Sequence, residues 1–166
     1  MAWSNSMIKM GIMLVAALNL VTSLPAQDRM TTLLNQYQHE ADPARKARNL
    51  AKLGSMQIDI AKQQLKDGED VKSLDTLQMY RDEVKQTVGG LIATKVDAEK
   101  KPAGFKELQI ALRESVRRID DLILSLPVDK RPFFREVRTD LVAAQNTLID
   151  VLFPRTPDRN PDKSHP

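Results

Sequence analysis

Four arginines in the second half of the chain have the residue type and spacing best suited to chemistry. Arg117 and Arg118 are adjacent, and Arg131 and Arg138 follow beyond a turn. Folding the chain back at Val128 brings Arg118 near Arg138, with no equally obvious acid between them. Two guanidinium groups held together can bind one anion through forked, charge-assisted hydrogen bonds. We therefore predict a candidate anion-binding cluster of Arg117, Arg118, Arg131 and Arg138.

The alternative interpretation of this region is a solvated face of ion pairs. The same folding of the chain places Asp121 opposite Arg135. Three further acids, Glu114, Glu136 and Asp140, are close enough in sequence to neutralise the remaining arginines. Exposed ion pairs contribute only about 0–1 kcal/mol each, and on this interpretation the arginines form a soluble surface without a ligand.

Other residues that carry catalysis or bind cofactors are scarce. The lack of cysteine excludes disulfides, Cys-based zinc sites and thiol nucleophiles. The two histidines, His39 and His165, are far apart, and neither belongs to the Glu-x-x-His motif of di-iron bundles. Ser115 has no neighbouring base, so we expect its hydroxyl to bond to a carbonyl of its own helix. The sequence therefore predicts no catalytic residue, no metal and no cofactor.

Length and charge limit the class of protein and of partner. The chain has 166 residues, of which 42% are hydrophobic, enough for one domain with a buried core. Its 25 Lys and Arg exceed its 22 Asp and Glu by only three. This difference is too small for the basic field of a nucleic-acid-binding domain. We expect no nucleic acid among the partners.

Helices must position these side chains, because apolar residues recur every three or four positions in four long segments. Asp42 and Pro43 are a start signal for the first helix, and Gly68 is a stop signal. Small residues along this helix predict close contact with a neighbour. The first stripe comprises Ala47, Ala51, Gly54, Ile58, Ala61 and Leu65. The second comprises Val71, Leu74, Leu77, Tyr80, Val84, Val88 and Leu91, with Tyr80 in place of the charged Arg81.

The last two helices repeat the pattern after a polar connection over residues 95–101. Pro127 ends the third helix and Pro154 the fourth. The third stripe comprises Phe105, Leu108, Leu112, Ser115, Ile119, Leu122 and Leu126. The fourth comprises Phe134, Val137, Leu141, Ala144, Leu148 and Val151. The pair Gly89 and Gly90 weakens the second helix, as a hinge between hairpins or as a helix end or kink.

The lengths of the connections give the architecture. Residues 68–69 and 127–129 are too few for anything but a turn between antiparallel neighbours. A shorter amphipathic segment, residues 28–40, precedes the four long helices. We therefore predict an all-α fold, an antiparallel up-down four-helix bundle built from two helical hairpins, with a short extra N-terminal helix.

Residues 1–26 have the three-part pattern of a secretory signal peptide. Lys9 precedes an apolar run over residues 10–20, and small residues follow up to Ala26. Cleavage is expected after Ala26 or after Ser23. The alternative is an uncleaved anchor, although the 17 residues from position 10 to 26 are at the short limit for a membrane span and include Asn19 and Pro25.

These patterns predict a signal peptide at 1–26, a helical bundle domain at 27–153 and a disordered Pro-rich tail at 154–166. We expect an exported protein, periplasmic or extracellular, that is not an enzyme and acts by binding an envelope protein or an anionic polymer. The alternative function is a membrane-tethered structural spacer. On either interpretation, a tie to the membrane requires that the N-terminal segment is retained.

Overall fold

The computed structural model describes residues 24–154. All but three residues of the predicted signal peptide, and all of the predicted tail except Pro154, lie outside this part of the chain. Within it the helices are α1 (Leu24–Gln38), α2 (Pro43–Lys66), α3 (Asp70–Ala93), α4 (Phe105–Ser125) and α5 (Arg131–Leu152). In this range, no helix has both the length and the apolar character that crossing a membrane requires.

The predicted all-α, antiparallel up-down four-helix bundle is confirmed. Helices α2 and α3 form one hairpin, α4 and α5 form the other, and the short α1 packs on α2. The hairpins lie side by side, with α2 against α4 and α3 against α5. The turns at residues 67–69 and 126–130 are therefore at the same end of the bundle, where Lys130 forms an ion pair with Asp70. We call this the turn end.

The predicted start and stop signals of α2 are confirmed. Asp42 precedes the helix and its carboxylate accepts a hydrogen bond from the Arg45 N–H at 2.7 Å, while Pro43 is the first helical residue. At the other terminus Gly68 takes a φ of +77°, a left-handed conformation that favours glycine.

The four apolar stripes form a single core. Tyr80 fills the predicted position in the second stripe and is 0% exposed. All members of the third stripe are buried, and in the other stripes Ala51, Leu65, Leu74 and Val151 are only partly buried. The predicted close approach of α2 is also confirmed, because Gly54 lies against the ring of Tyr80.

One position of the second stripe was predicted wrongly. Val71 is 74% exposed, whereas Ser73 is fully buried and donates a hydrogen bond to the Ala61 carbonyl at 2.9 Å. The stripe therefore runs from Leu77 through the partly buried Leu74 to Ser73, and it does not include Val71. A buried hydroxyl is tolerated there because it is paired with a backbone carbonyl.

Gly89 and Gly90 lie within α3 near its C-terminal end, and the helix continues beyond them to Ala93. Both are exposed, and a Cβ atom on either would meet no heavy atom within 4 Å. No packing contact therefore requires a glycine at these two positions.

Candidate functional site

The prediction that Arg118 and Arg138 lack an acidic partner is wrong. The Arg118 guanidinium contacts Asp59 of α2 at 2.5 Å and the Ser55 hydroxyl at 3.1 Å. Arg138 forms a forked pair with Asp120 of α4, at 2.5 and 3.1 Å. The hydrogen bond with Asp120 raises the pKa of Arg138.

The two arginines have different partners because of the helical repeat of α4. Residues 118 and 120 are about 200° apart around the helix axis. Arg118 therefore faces α2, and Asp120 faces α5. The acid for Arg118 comes from α2, which lies outside the α4–α5 hairpin.

Arg117 and Arg131 also have partners. Arg117 bonds to Glu114 at 2.6 Å and to Asp121 at 3.3 Å, so Asp121 pairs with Arg117 rather than with Arg135. The hydrogen bond between Arg117 and Glu114 raises the pKa of Arg117 and lowers that of Glu114. Arg131 donates to the Leu126 carbonyl at 2.9 Å, at the C-terminus of α4. The ion-pair interpretation therefore describes Arg117 well.

Two of the four arginines line a groove between α2 and α4 at the turn end. The groove has a volume of about 550 Å³, and Arg117 and Arg118 form part of its wall. Arg131 and Arg138 do not line it. The four predicted site residues are therefore divided between this groove and bonds within the α4–α5 hairpin.

The groove has a basic rim over an apolar floor. Lys62 and Lys66 of α2 face Arg117 and Arg118 of α4, which makes four basic side chains against two acidic ones. Both acids are occupied, because Asp70 bonds to Lys130 and Asp121 bonds to Arg117. The apolar part of the lining is Ile58, Leu65, Leu122, Leu126 and Pro127.

Lys62 and Lys66 are the site residues that the sequence interpretation missed. Among the described residues neither has a carboxylate within 4 Å, unlike the two arginines across the groove. Their spacing of four residues, which places both on one face of α2, was the available signal. The side-by-side packing of the hairpins is what brings this face next to α4.

The buried polar residues form a second feature, in the interior. The Tyr80 and Ser115 hydroxyls share a hydrogen bond of 2.8 Å, so the predicted bond from Ser115 to its own helix is wrong. Burial raises the pKa of Tyr80 to about 12, although the Ser115 hydrogen bond acts in the opposite direction. Gln57 is also buried and donates to the Glu83 carboxylate at 2.8 Å.

A third feature is an apolar groove between the first turns of α3 and α5. It has a volume of about 500 Å³ and is lined by Val71, Leu74, Phe133 and Phe134 among others. Phe133 is 58% exposed. Nowhere in residues 24–154 are three acidic or histidine side chains grouped so that they could hold a metal ion.

Comparison with known proteins gives no match. No protein-family model, no curated protein and no solved structure matches the chain.

Proposed function

We propose that the protein is an exported, non-enzymatic binding protein that holds an anionic phospholipid headgroup in the groove between α2 and α4. The observation that carries this proposal is the basic rim of the groove. Among the described residues Lys62 and Lys66 form no ion pair, and they face Arg117 and Arg118 across the groove. A phosphate placed between the helices meets cations on both sides.

The ion pairs of the two arginines are compatible with this binding. Arg117 and its acids are more than half exposed, and exposed pairs of this kind contribute little to stability because water screens them. A phosphate can therefore compete for the Arg117 fork with forked bonds of its own. Arg118 keeps its bond to Asp59, so the charge that is not already paired in the groove comes from Lys62 and Lys66.

The apolar floor favours an amphiphilic anion over a wholly hydrophilic one. Ile58, Leu65 and Leu122 lie beneath the cations, so a ligand with an apolar part next to its charge contacts both. Phospholipids have this combination. An exported protein meets such headgroups at the membrane surface, and the N-terminal pattern of residues 1–26 supports export.

Vesicle co-sedimentation tests the proposal. We expect the purified protein to bind vesicles that contain an anionic phospholipid and not neutral vesicles, with binding that weakens as salt is raised. The double variant Lys62→Glu plus Lys66→Glu should lose this binding. It reverses two charges in the groove while keeping both side chains on the exposed face of α2.

The matched control is Lys101→Glu plus Lys106→Glu, which makes the same charge change on exposed residues away from the turn end. We expect the control to bind as the unmodified protein does. Equal binding by the groove variant and the control would show that net charge, and not the groove, is responsible. Retained binding to an acidic polymer but not to vesicles would replace the lipid headgroup with a polymer ligand.

A further inference from the structure

A buried polar atom lacks a partner where α2 meets α3. Gln57 is 1% exposed. Its Oε1 is the one buried side-chain nitrogen or oxygen without a hydrogen-bond partner in the described part of the chain. The Nε2 atom of the same amide donates to Oε2 of Glu83 across the interface at 2.8 Å. The amide is therefore only half satisfied, which destabilises a buried polar group.

Glu83 lies where α1, α2 and α3 come together. Its carboxylate bonds to Gln57 of α2, and its backbone carbonyl accepts from the hydroxyl of Tyr37, the buried residue of α1, at 3.2 Å. Burial raises the pKa of the Glu83 carboxyl above its ordinary value of 4.5. The Gln57 hydrogen bond lowers this pKa by less, and the charge of Asp82 raises it further.

The surroundings of the Glu83 carboxyl contain little charge to oppose protonation. Among the described residues no Lys or Arg nitrogen lies within 4 Å of it. The titratable groups that interact with it are Tyr37 of α1 and Tyr80 and Asp82 of α3, and Lys46 of α2 lies over the Tyr37 ring.

We propose that Gln57 and Glu83 form a proton-dependent link between α2 and α3, which gains a second hydrogen bond when the carboxyl is protonated. An ionised carboxylate only accepts, so it takes one bond from Nε2 and gives none to Oε1. A protonated carboxyl has one O–H donor and one carbonyl acceptor, which complement the two ends of a primary amide. The proton comes from the solvent and stays on Glu83.

The link stabilises the fold on acidification. Because the pKa of Glu83 in the folded chain is above 4.5, its contribution is fully present below pH 4.5 and is lost as pH rises through the folded-state pKa. The stability that exposed ion pairs contribute changes with pH in the opposite direction. Arg117 lowers the pKa of Glu114, so the contribution of that pair is lost as pH falls.

Urea unfolding at pH 7 and pH 5 tests the link. We expect the midpoint of the unmodified protein to be higher at pH 5 than at pH 7. Glu83→Gln places a second amide opposite Gln57, and two amides form the same pair of hydrogen bonds at any pH. This variant should therefore have a higher urea midpoint than the unmodified protein at both pH values. The same rise between pH 7 and pH 5 in Glu83→Gln as in the unmodified protein would overturn the proposal.

A second measurement separates the link from simple relief of a buried charge. The effect of Glu83→Gln on the urea midpoint is measured again in a protein that carries Gln57→Leu, where no amide at position 57 can complete the pair. The link predicts that the gain from Glu83→Gln becomes smaller there. An equal or larger gain would show that charge removal alone is responsible and would overturn the proposal. Glu136→Gln, on the exposed face of α5, is the matched control and should have the same effect in both backgrounds.

Discussion

A Cβ atom on Gly54 would lie 2.2 Å from Cε2 of Tyr80, so the backbone of α2 is in direct contact with an aromatic ring of α3. The same ring is fully buried, and its hydroxyl reaches Ser115 of α4 at 2.8 Å. A glycine at position 54 thus lets one side chain of α3 touch α2 and hydrogen-bond to α4.

Gly54→Ala should therefore destabilise the protein. Alanine is favoured over glycine in a helix by about 1 kcal/mol, but the methyl group would overlap the Tyr80 ring, and overpacking of a core costs about 1–3 kcal/mol or more. We expect the overlap to win and the urea midpoint to fall. Combination with Tyr80→Leu should remove most of the additional loss. A midpoint that rises in Gly54→Ala would show that the two helices are farther apart than described.

The glycines at positions 89 and 90 should respond in the opposite way. Because a Cβ atom on either would meet no heavy atom within 4 Å, alanine changes only the helix propensity and the freedom of the unfolded chain. We expect Gly89→Ala and Gly90→Ala each to stabilise by up to about 1 kcal/mol in urea unfolding. A lower midpoint in either variant would favour the hinge interpretation of this pair.

Helix periodicity predicted most of the fold, because apolar burial in a bundle follows the helical repeat. It could not predict how the second stripe ends at the start of α3, where a polar and an apolar residue compete for burial. Ser73 is buried in preference to Val71 because the Ala61 carbonyl satisfies its hydroxyl. That carbonyl belongs to another helix, so the sequence around Ser73 gives no signal of it.

The candidate site was less predictable, since it depends on how the two hairpins pack against each other. The turn lengths define each hairpin, but they leave open which helix of the first hairpin lies next to α4. Once α2 occupies that place, Asp59 pairs with Arg118, and Lys62 and Lys66 complete the groove. Arg117 and Arg118 were found from sequence because they are adjacent in the chain.

The predicted signal peptide is testable by intact-mass analysis of protein from the native compartment. The apolar run over residues 10–20 is shorter than the roughly 20 residues of a membrane span, so we expect removal at the small residues that follow it. The mass should correspond to a chain that begins at Gln27 or Leu24. Either cut keeps Tyr37 and its bond to Thr87 at 3.0 Å. Full-length chain recovered in the membrane would instead support the tethered spacer.

Buried Tyr80 should make the fold sensitive to alkali. Its pKa is raised to about 12, chiefly because burial disfavours the phenolate. Since the tyrosines of the unfolded chain ionise near pH 10, the contribution of Tyr80 is fully present below pH 10 and is lost as pH rises from 10 to about 12. The loss should amount to about 3 kcal/mol for one fully buried group.

Urea midpoints at pH 9 and pH 11 measure about half of this loss, because pH 11 lies midway between the two pKa values, and Tyr80→Phe is the informative variant. At pH 9 it should be less stable than the unmodified protein by about 1–3 kcal/mol, because it leaves the Ser115 hydroxyl buried without its partner. Between pH 9 and pH 11 Tyr80→Phe should lose less stability than the unmodified protein. The variant keeps one tyrosine with a raised pKa, Tyr37, whereas the unmodified protein has two. Equal losses in the two proteins over this range would mean that Tyr80 ionises without unfolding, and that its hydroxyl is reached by solvent.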